Sequence, residues 1–225
     1  MFKNILLMLG HNDVPSQKLV DFLKKKTKKI VISYPSSNIK KKFFNVKNKH
    51  YDFIFCFRSK YILRNNNLKK AKYATINFHP GPPEYKGIGC ANYALNDEVK
   101  KYGVTSHLIT SNKIDEGKII DVVRFKINKN ENISNLLEKT NKQLLNQALK
   151  IINKLFKNPN VLDNLVRKFI HIKWTRKMKS KKHLDKFYQI NIKINKKDFI
   201  KKIRCTNTKK FKPYVVLFGK TFLLK

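Results

Sequence analysis

The sequence is short of cysteine, of acidic residues and of long apolar runs, and each shortage removes a class of protein. Three cysteines, Cys56, Cys90 and Cys205, lie far apart with no Cys-x-x-Cys pair, which indicates neither a disulfide framework nor a zinc ribbon and fits a reducing cytoplasm. The apolar run Ile5–Leu9 stops at Gly10, too short to span a bilayer, and no small-residue cleavage pattern follows it. It reads as a first core strand. Gly10-His11-Asn12 is neither a Gly-x-Gly-x-x-Gly turn nor a phosphate loop, so NAD and ATP are not expected as cofactors. No internal repeat or coiled coil is visible.

Acidic residues number 14 against 51 Lys and Arg, a formal charge of +37. The excess is mostly Lys, scattered among Asn, Ile, Phe and Tyr as an AT-rich coding sequence produces it. A solvated surface is the first reading of that charge, and steering of a polyanion such as RNA the second. A chain of 225 residues holds one main core and a small appendage.

Apolar periodicity gives a βαβ opening: strand Ile5–Leu9, helix 16–26 with Leu19, Phe22 and Leu23 on one face, and strand Ile30–Ser33. Pro35-Ser36-Ser37 breaks the chain, and 40–49 is a basic connector without a clear element. Tyr51–Phe57 is a buried strand, Arg58–Leu63 a turn leading to a short helix, and Tyr73–Ile76 another strand, with Asn77 and His79 emerging at its C-terminal end. In open α/β sheets that end faces the ligand crevice. The segment 80–89 holds three prolines and three glycines and is a loop. A helix starts at Ala91, strands cover 103–109 and 119–127, and Asp115 sits in the connection between them. The longest helix, Leu136 to Phe156, stops at Asn158-Pro159-Asn160. A short helix near 198–204 and a hairpin turning at Gly219-Lys220 end the chain. The division is a catalytic domain over 1–158 and an appendage over 159–225.

Asn77, His79 and Asp115 are the reactive set. Histidine moves a proton near neutrality, an Asn amide donates to a developing oxyanion, and an aspartate orients the histidine. Together they suit acyl-type transfer. No Ser in a Gly-x-Ser-x-Gly setting and no Cys beside the loop offers a covalent nucleophile, so direct attack by a substrate amine is expected. The plainer alternative makes Asn77 and His79 turn residues that cap a strand. A metal site of His79, His107, Asp115 and Cys90 lacks helix-spaced or short-loop ligand pairs, and His107 reads as a packed or edge histidine. Trp174 reads as core.

At Asn77-Phe78-His79, the proline-containing loop Pro80–Gly87, Gly103-Val104-Thr105 and Asp115-Glu116-Gly117 the sequence resembles the folate-dependent formyltransferases, from about Tyr51 to Ile120. The resemblance implies an α/β, Rossmann-like sheet with helices on both faces and a small C-terminal appendage ending in a β-hairpin. It implies 10-formyltetrahydrofolate as formyl donor, Asn77, His79 and Asp115 as catalytic residues, and Arg58, Ser59, Tyr61 and Ile62 against the folate, partly through backbone groups. Pro80-Gly81-Pro82-Pro83 replaces the Ser-Leu-Leu-Pro common in the tRNA and ribonucleotide enzymes, and the tail is too short for the tRNA enzymes' added β-barrel. That tail resembles the hairpin of amino-sugar formyltransferases, which serves in dimer contacts. The expectation is a cytoplasmic, metal-free N-formyltransferase acting on an amino-sugar nucleotide. Initiator methionyl-tRNA is the alternative acceptor, and a non-catalytic basic RNA-binding protein the rival from another class.

Overall fold

The computed structural model describes residues 4–34, the backbone of 43–44, and residues 50–224. β1 (Ile5–Leu9), α1 (Val14–Lys26) and β2 (Ile30–Ser33) form the βαβ opening that the periodicity predicts. α1 starts where Asp13 accepts the Ser16 backbone N–H and Pro15 fixes the first turn, and its last turn carries Lys24, Lys25 and Lys26 against the helix dipole. The break at Pro35-Ser36-Ser37 and all of the basic connector except 43–44 lie outside the described residues.

β3 (Phe43–Phe44) pairs in parallel with β5 (Ile62–Leu63), on either side of β4 (Tyr51–Phe57) in sequence. The Arg58–Leu63 stretch therefore includes a short strand, and the helix it leads to, α2 (Asn65–Leu68), is a single turn. β6 (Ala71–His79), α3 (Cys90–Asn96), β7 (Lys101–Leu108) and β8 (Ile119–Lys126) follow. The six-stranded sheet runs β2-β1-β4-β6-β7-β8; the first four strands are parallel, and β7 is antiparallel to both of its neighbours.

Side-chain alternation sorts the chemistry by face. On one face Ile5, Leu7, Leu9, Phe53, Phe55, Phe57, Ile76 and Phe78 pack under α1 and α4 (Ile133–Lys157), whose Leu144, Ala148, Ile151, Ile152 and Leu155 are buried. Each such side chain contributes about 2 kcal/mol by leaving water. On the opposite face Leu6, Met8, Ile54 and Cys56 pack with Tyr61, Leu63 and Leu68 from the segment holding β5 and α2. Asn77 and His79, which alternate with Ile76 and Phe78, turn to this second face. α4 is capped by the Asn132 side chain and ends at Asn158, because the residue before Pro159 disfavours helical backbone.

Beyond Pro159 come α5 (Val161–Lys168), α6 (Lys181–Tyr188), α7 (Lys196–Thr206) and a hairpin of β9 (Tyr214–Leu217) and β10 (Lys220–Leu223). Only α7 and the hairpin match sequence expectation. α5 and α6 contain no fully buried residue; α5 still packs Val161, Leu162, Leu165 and Val166 against the core, but each helix is only about two turns long, so its apolar face does not stand out from the lysine-rich sequence around it. α6 is instead fixed at its start by a capping box between Ser180 and His183. The hairpin turns at Phe218-Gly219, one residue before the expected pair, with φ of 48° and 73°. Two positive φ values match the twist of a tight hairpin. Among the described residues no helix is long and apolar enough to cross a membrane.

Arg58 joins the helical layer to the sheet. Its guanidinium, 8% exposed, is 2.6 Å from Asp13 Oδ1 and also donates to Ser16 Oγ and Asn141 Oδ1. Asp13→Ala removes the helix cap and leaves a buried guanidinium without its carboxylate, a loss of about 3 kcal/mol. Asp13→Asn keeps a cap and should recover part of it. Urea unfolding of the two variants checks the order wild type, Asn, Ala.

Candidate active site

β6 and β7 build the floor of the site through their register. Asn77 lies opposite His107 and His79 opposite Thr105, so all four side chains share the face away from α1 and α4. Asn77 Nδ2 is 3.0 Å from His107 Nε2. His107 Nδ1 is 2.9 Å from the Leu108 carbonyl oxygen, which can only accept, so Nδ1 carries a proton. The Asn77 amide has two N–H groups and this contact takes one at most, which leaves the other to the crevice.

The turn after β7 folds Asp115 over this floor. Asp115 has φ of 50°, left-handed backbone that aspartate tolerates better than most residues. Its Oδ2 is 3.4 Å from His79 Nδ1 and accepts the Gly87 backbone N–H at 2.8 Å, while its Oδ1 is 3.4 Å from His107 Nε2. His79 Nε2 donates to the Tyr85 carbonyl at 2.8 Å, so the ring presents a proton on each side. Exposure is 3% for His79, 2% for His107 and 5% for Asp115. Asn77 is half-buried, the most open member of the set.

Burial opposes charge on His79, but the Asp115 carboxylate, Cys90 and the Tyr85 carbonyl outweigh it and raise the imidazole to about 9. Burial also opposes ionisation of Asp115, and the positive His79 ring, His107 and the Gly87 N–H hold it down to about 2. The site is a buried imidazolium–carboxylate pair at neutral pH.

The loop over 80–89 is fastened by its own backbone. Tyr102 OH donates to the Pro80 carbonyl and Thr105 Oγ1 to the Gly81 carbonyl, both at 2.8 Å. Gly87 has φ of +85°, and a Cβ there would run into the Lys179 carbonyl oxygen, so only glycine lets this N–H aim at Asp115.

The structure thus brings Asn77, His79 and Asp115 together and adds three residues that sequence reasoning left out. His107 is a member of the cluster; the cross-strand register that reveals it is not written in spacing alone. Cys90, contrary to the expectation of no cysteine beside the loop, places Sγ 3.7 Å from His79 Nε2. It contacts the Tyr85 and Gly87 carbonyls at 3.3 and 3.4 Å, the setting of a buried thiol donor. Trp174 packs against both histidine rings, with centroids 5.6 Å from His79 and 5.0 Å from His107. Among the described residues no group of three or more His, Cys, Asp or Glu is arranged to hold a metal ion.

The folate-side residues are distributed differently. The Arg58 side chain turns to α1 and α4, which leaves its backbone, with φ of 52°, at the end of β4. Ser59 Oγ accepts the Tyr61 N–H at 3.3 Å, Tyr61 packs on the apolar cluster of the site's own face, and Ile62 is half-buried in β5.

The family model described as formyl transferase matches residues 16–151, more than half of the chain. The fold is similar to that of a sugar N-formyltransferase from a Shewanella species, with a TM-score of 0.69 and 18% identity over 99% of this chain and 96% of the other. A 4-N formyltransferase from Francisella tularensis gives 0.71 and 17% over 98% and 96%. An N-formyltransferase from Helicobacter canadensis, solved with folinic acid and dTDP-3-aminofucose, gives 0.66 and 16% over 96% and 84%. Such identities carry the fold alone. No curated protein sequence matches this one.

The linked protonations set a pH dependence. His79 is raised above its ordinary 6.5, so its pairing stabilises the fold fully below that pH and is lost as pH rises through about 9. Asp115 is lowered, so its share is present above 3.8 and is lost as pH falls through about 2. Asp115→Asn removes the largest of the groups that offset the burial of His79, and its ring should titrate clearly below about 9 in an NMR titration; an unmoved titration contradicts the pairing.

Proposed function

The chain belongs to the formyl transferase family, and from that premise we propose that it moves a formyl group from 10-formyltetrahydrofolate to the primary amine of a nucleotide-linked amino sugar. The observation that carries this reading is the buried His79–Asp115 pair beside an Asn77 amide with an N–H to spare. Folate lies along Arg58–Ile62, meeting the backbone of Arg58 and Ser59 and the side chains of Tyr61 and Ile62. Its formyl group reaches Asn77 and His79.

The amine lone pair attacks the formyl carbon, and the carbonyl oxygen becomes an oxyanion. Asn77 and the positive His79 ring stabilise that charge in a water-poor site, where fixed donors act most strongly. The new ammonium loses its proton toward Asp115, the bond to the folate nitrogen breaks, and that nitrogen regains a proton from the His79 side. The N-formylated amino sugar and tetrahydrofolate leave. With its ring raised to about 9, His79 serves as acid and charge stabiliser, and Asp115 holds it in the protonated form.

The three cysteines are free and buried, which suits a cytoplasmic enzyme. The terminal hairpin exposes Phe218 fully and Phe222 and Leu223 by half or more. That apolar edge supports a homodimer through β9 and β10, and Phe222→Lys should turn a dimer into a monomer in sedimentation. The charge of +37 favours one second reading, initiator methionyl-tRNA as acceptor.

The deciding experiment is a formyl-transfer assay offering amino-sugar nucleotides beside methionyl-tRNA at low and physiological salt. Turnover with a sugar nucleotide is expected; turnover confined to charged tRNA, with steeply salt-dependent binding, supports the alternative. His79→Gln and Asp115→Asn should each lower kcat at least about 100-fold with folate affinity nearly unchanged. The wild-type rate should fall as pH rises through about 9, where His79 loses its proton.

A further inference from the structure

Between α5 and α6 the chain crosses back over the histidine pair. Trp174 is the only tryptophan in the sequence, and its indole N–H donates to the Gly117 carbonyl at 2.8 Å, two residues beyond Asp115. Gly117 has no slack: a Cβ there would run into the Leu108 carbonyl oxygen. The indole stands edge to face against the rings of His79 and His107.

The crossing segment is anchored independently of the histidines. Thr175 N–H donates to the Pro83 carbonyl at 3.1 Å, Lys179 N–H to the Lys86 carbonyl at 3.1 Å, and Ile88 N–H to the Lys179 carbonyl at 2.8 Å. This short ladder brackets Gly87, the residue whose N–H meets Asp115. The Arg176 guanidinium pairs with Asp97 and lies 4.7 Å over the Tyr85 ring, and it is Tyr85 whose carbonyl receives the His79 proton. One stretch of chain therefore braces both loop residues whose backbone groups orient the imidazolium–carboxylate pair, Tyr85 through its ring and Gly87 through its two neighbours.

We propose that Trp174 is a positioning residue for formyl transfer: its N–H bond holds the Asp115 turn in place, and its ring fixes the planes of His79 and His107. The role rests on the reaction assigned above to His79 and Asp115. Asp115 keeps a left-handed backbone that persists only where its surroundings determine it, and the indole supplies such a constraint from outside the turn. A small misplacement of reacting groups has a large effect on rate, so the constraint should appear in kcat.

Because no other tryptophan contributes, emission of the intact protein reports this contact. A protonated imidazole beside an indole quenches it, and the groups facing His79 are Asp115, Cys90 and the neutral Tyr85 carbonyl, with Asp115 and Asn77 facing His107. Emission should rise as pH passes through about 9, and the step should vanish in His79→Gln. A titration without that step, or one that survives in His79→Gln, overturns the ring contact whether or not the protein transfers formyl groups. Trp174→Phe keeps a ring and deletes the N–H; its kcat should fall about tenfold, equal to about 1.4 kcal/mol, with folate KM within about threefold. An unchanged kcat, or a loss carried wholly by KM, overturns the positioning role. Wild-type inactivity removes the reaction and this role with it, while the fluorescence step still reports the contact, so the two failures are told apart.

Discussion

A carboxylate taken out of water is costly unless its lone pairs meet donors, and Asp115 meets that condition from three directions. One oxygen takes the Gly87 amide and faces His79, and the other faces His107. Each partner belongs to a different element: the glycine to the loop after β6, one histidine to the end of β6, the other to β7. The positive φ at Gly87, the left-handed backbone of Asp115 and the antiparallel pairing of β6 with β7 are all conditions for bringing those donors to one point. The architecture around the site follows from satisfying a single buried negative charge.

The same charge explains why so basic a chain has a locally balanced centre. A surface rich in lysine raises the potential everywhere outside, but the buried pair is screened little and responds to atoms within a few ångströms. The His79 proton is therefore set by Asp115, Cys90 and a carbonyl, and the scattered lysines bear on solubility and on encounter with anions.

Much of this was legible in the sequence because the core strands are short, apolar and β-branched or aromatic, and because prolines and glycines mark the loop after His79. Asn77 and His79 on one strand end and Asp115 in the connection between the next two strands are visible as chemistry without coordinates. What the residues hide is register and direction. His107 joins the cluster because it lies opposite Asn77, a fact of pairing that its apolar neighbours disguise. Arg58 reads as a ligand contact, yet its side chain is drawn to Asp13 and Asn141 by a left-handed backbone that no propensity announces. α5 and α6 escape because each is only about two turns long and buries no side chain fully, so a stripe such as Val161, Leu162, Leu165 and Val166 is too short to stand out. Trp174 reads as core, since its contacts depend on where a long lysine-rich stretch crosses the fold.

Asn77, His79, His107 and Asp115 come from one uninterrupted stretch, closed by the short crossover through α3 and the β7–β8 connection. Short loops are the least costly to close, so this group can assemble from local contacts once β4 is in place to receive β6. The indole that covers it belongs to a much later part of the chain. During synthesis from the N-terminus, the ion pair would form first with one side open to water, and only the emergence of the crossing segment would dry it. On the proposed roles, the chain that has made its reactive groups would not yet be the chain that holds them still, and translation would separate the two events in time.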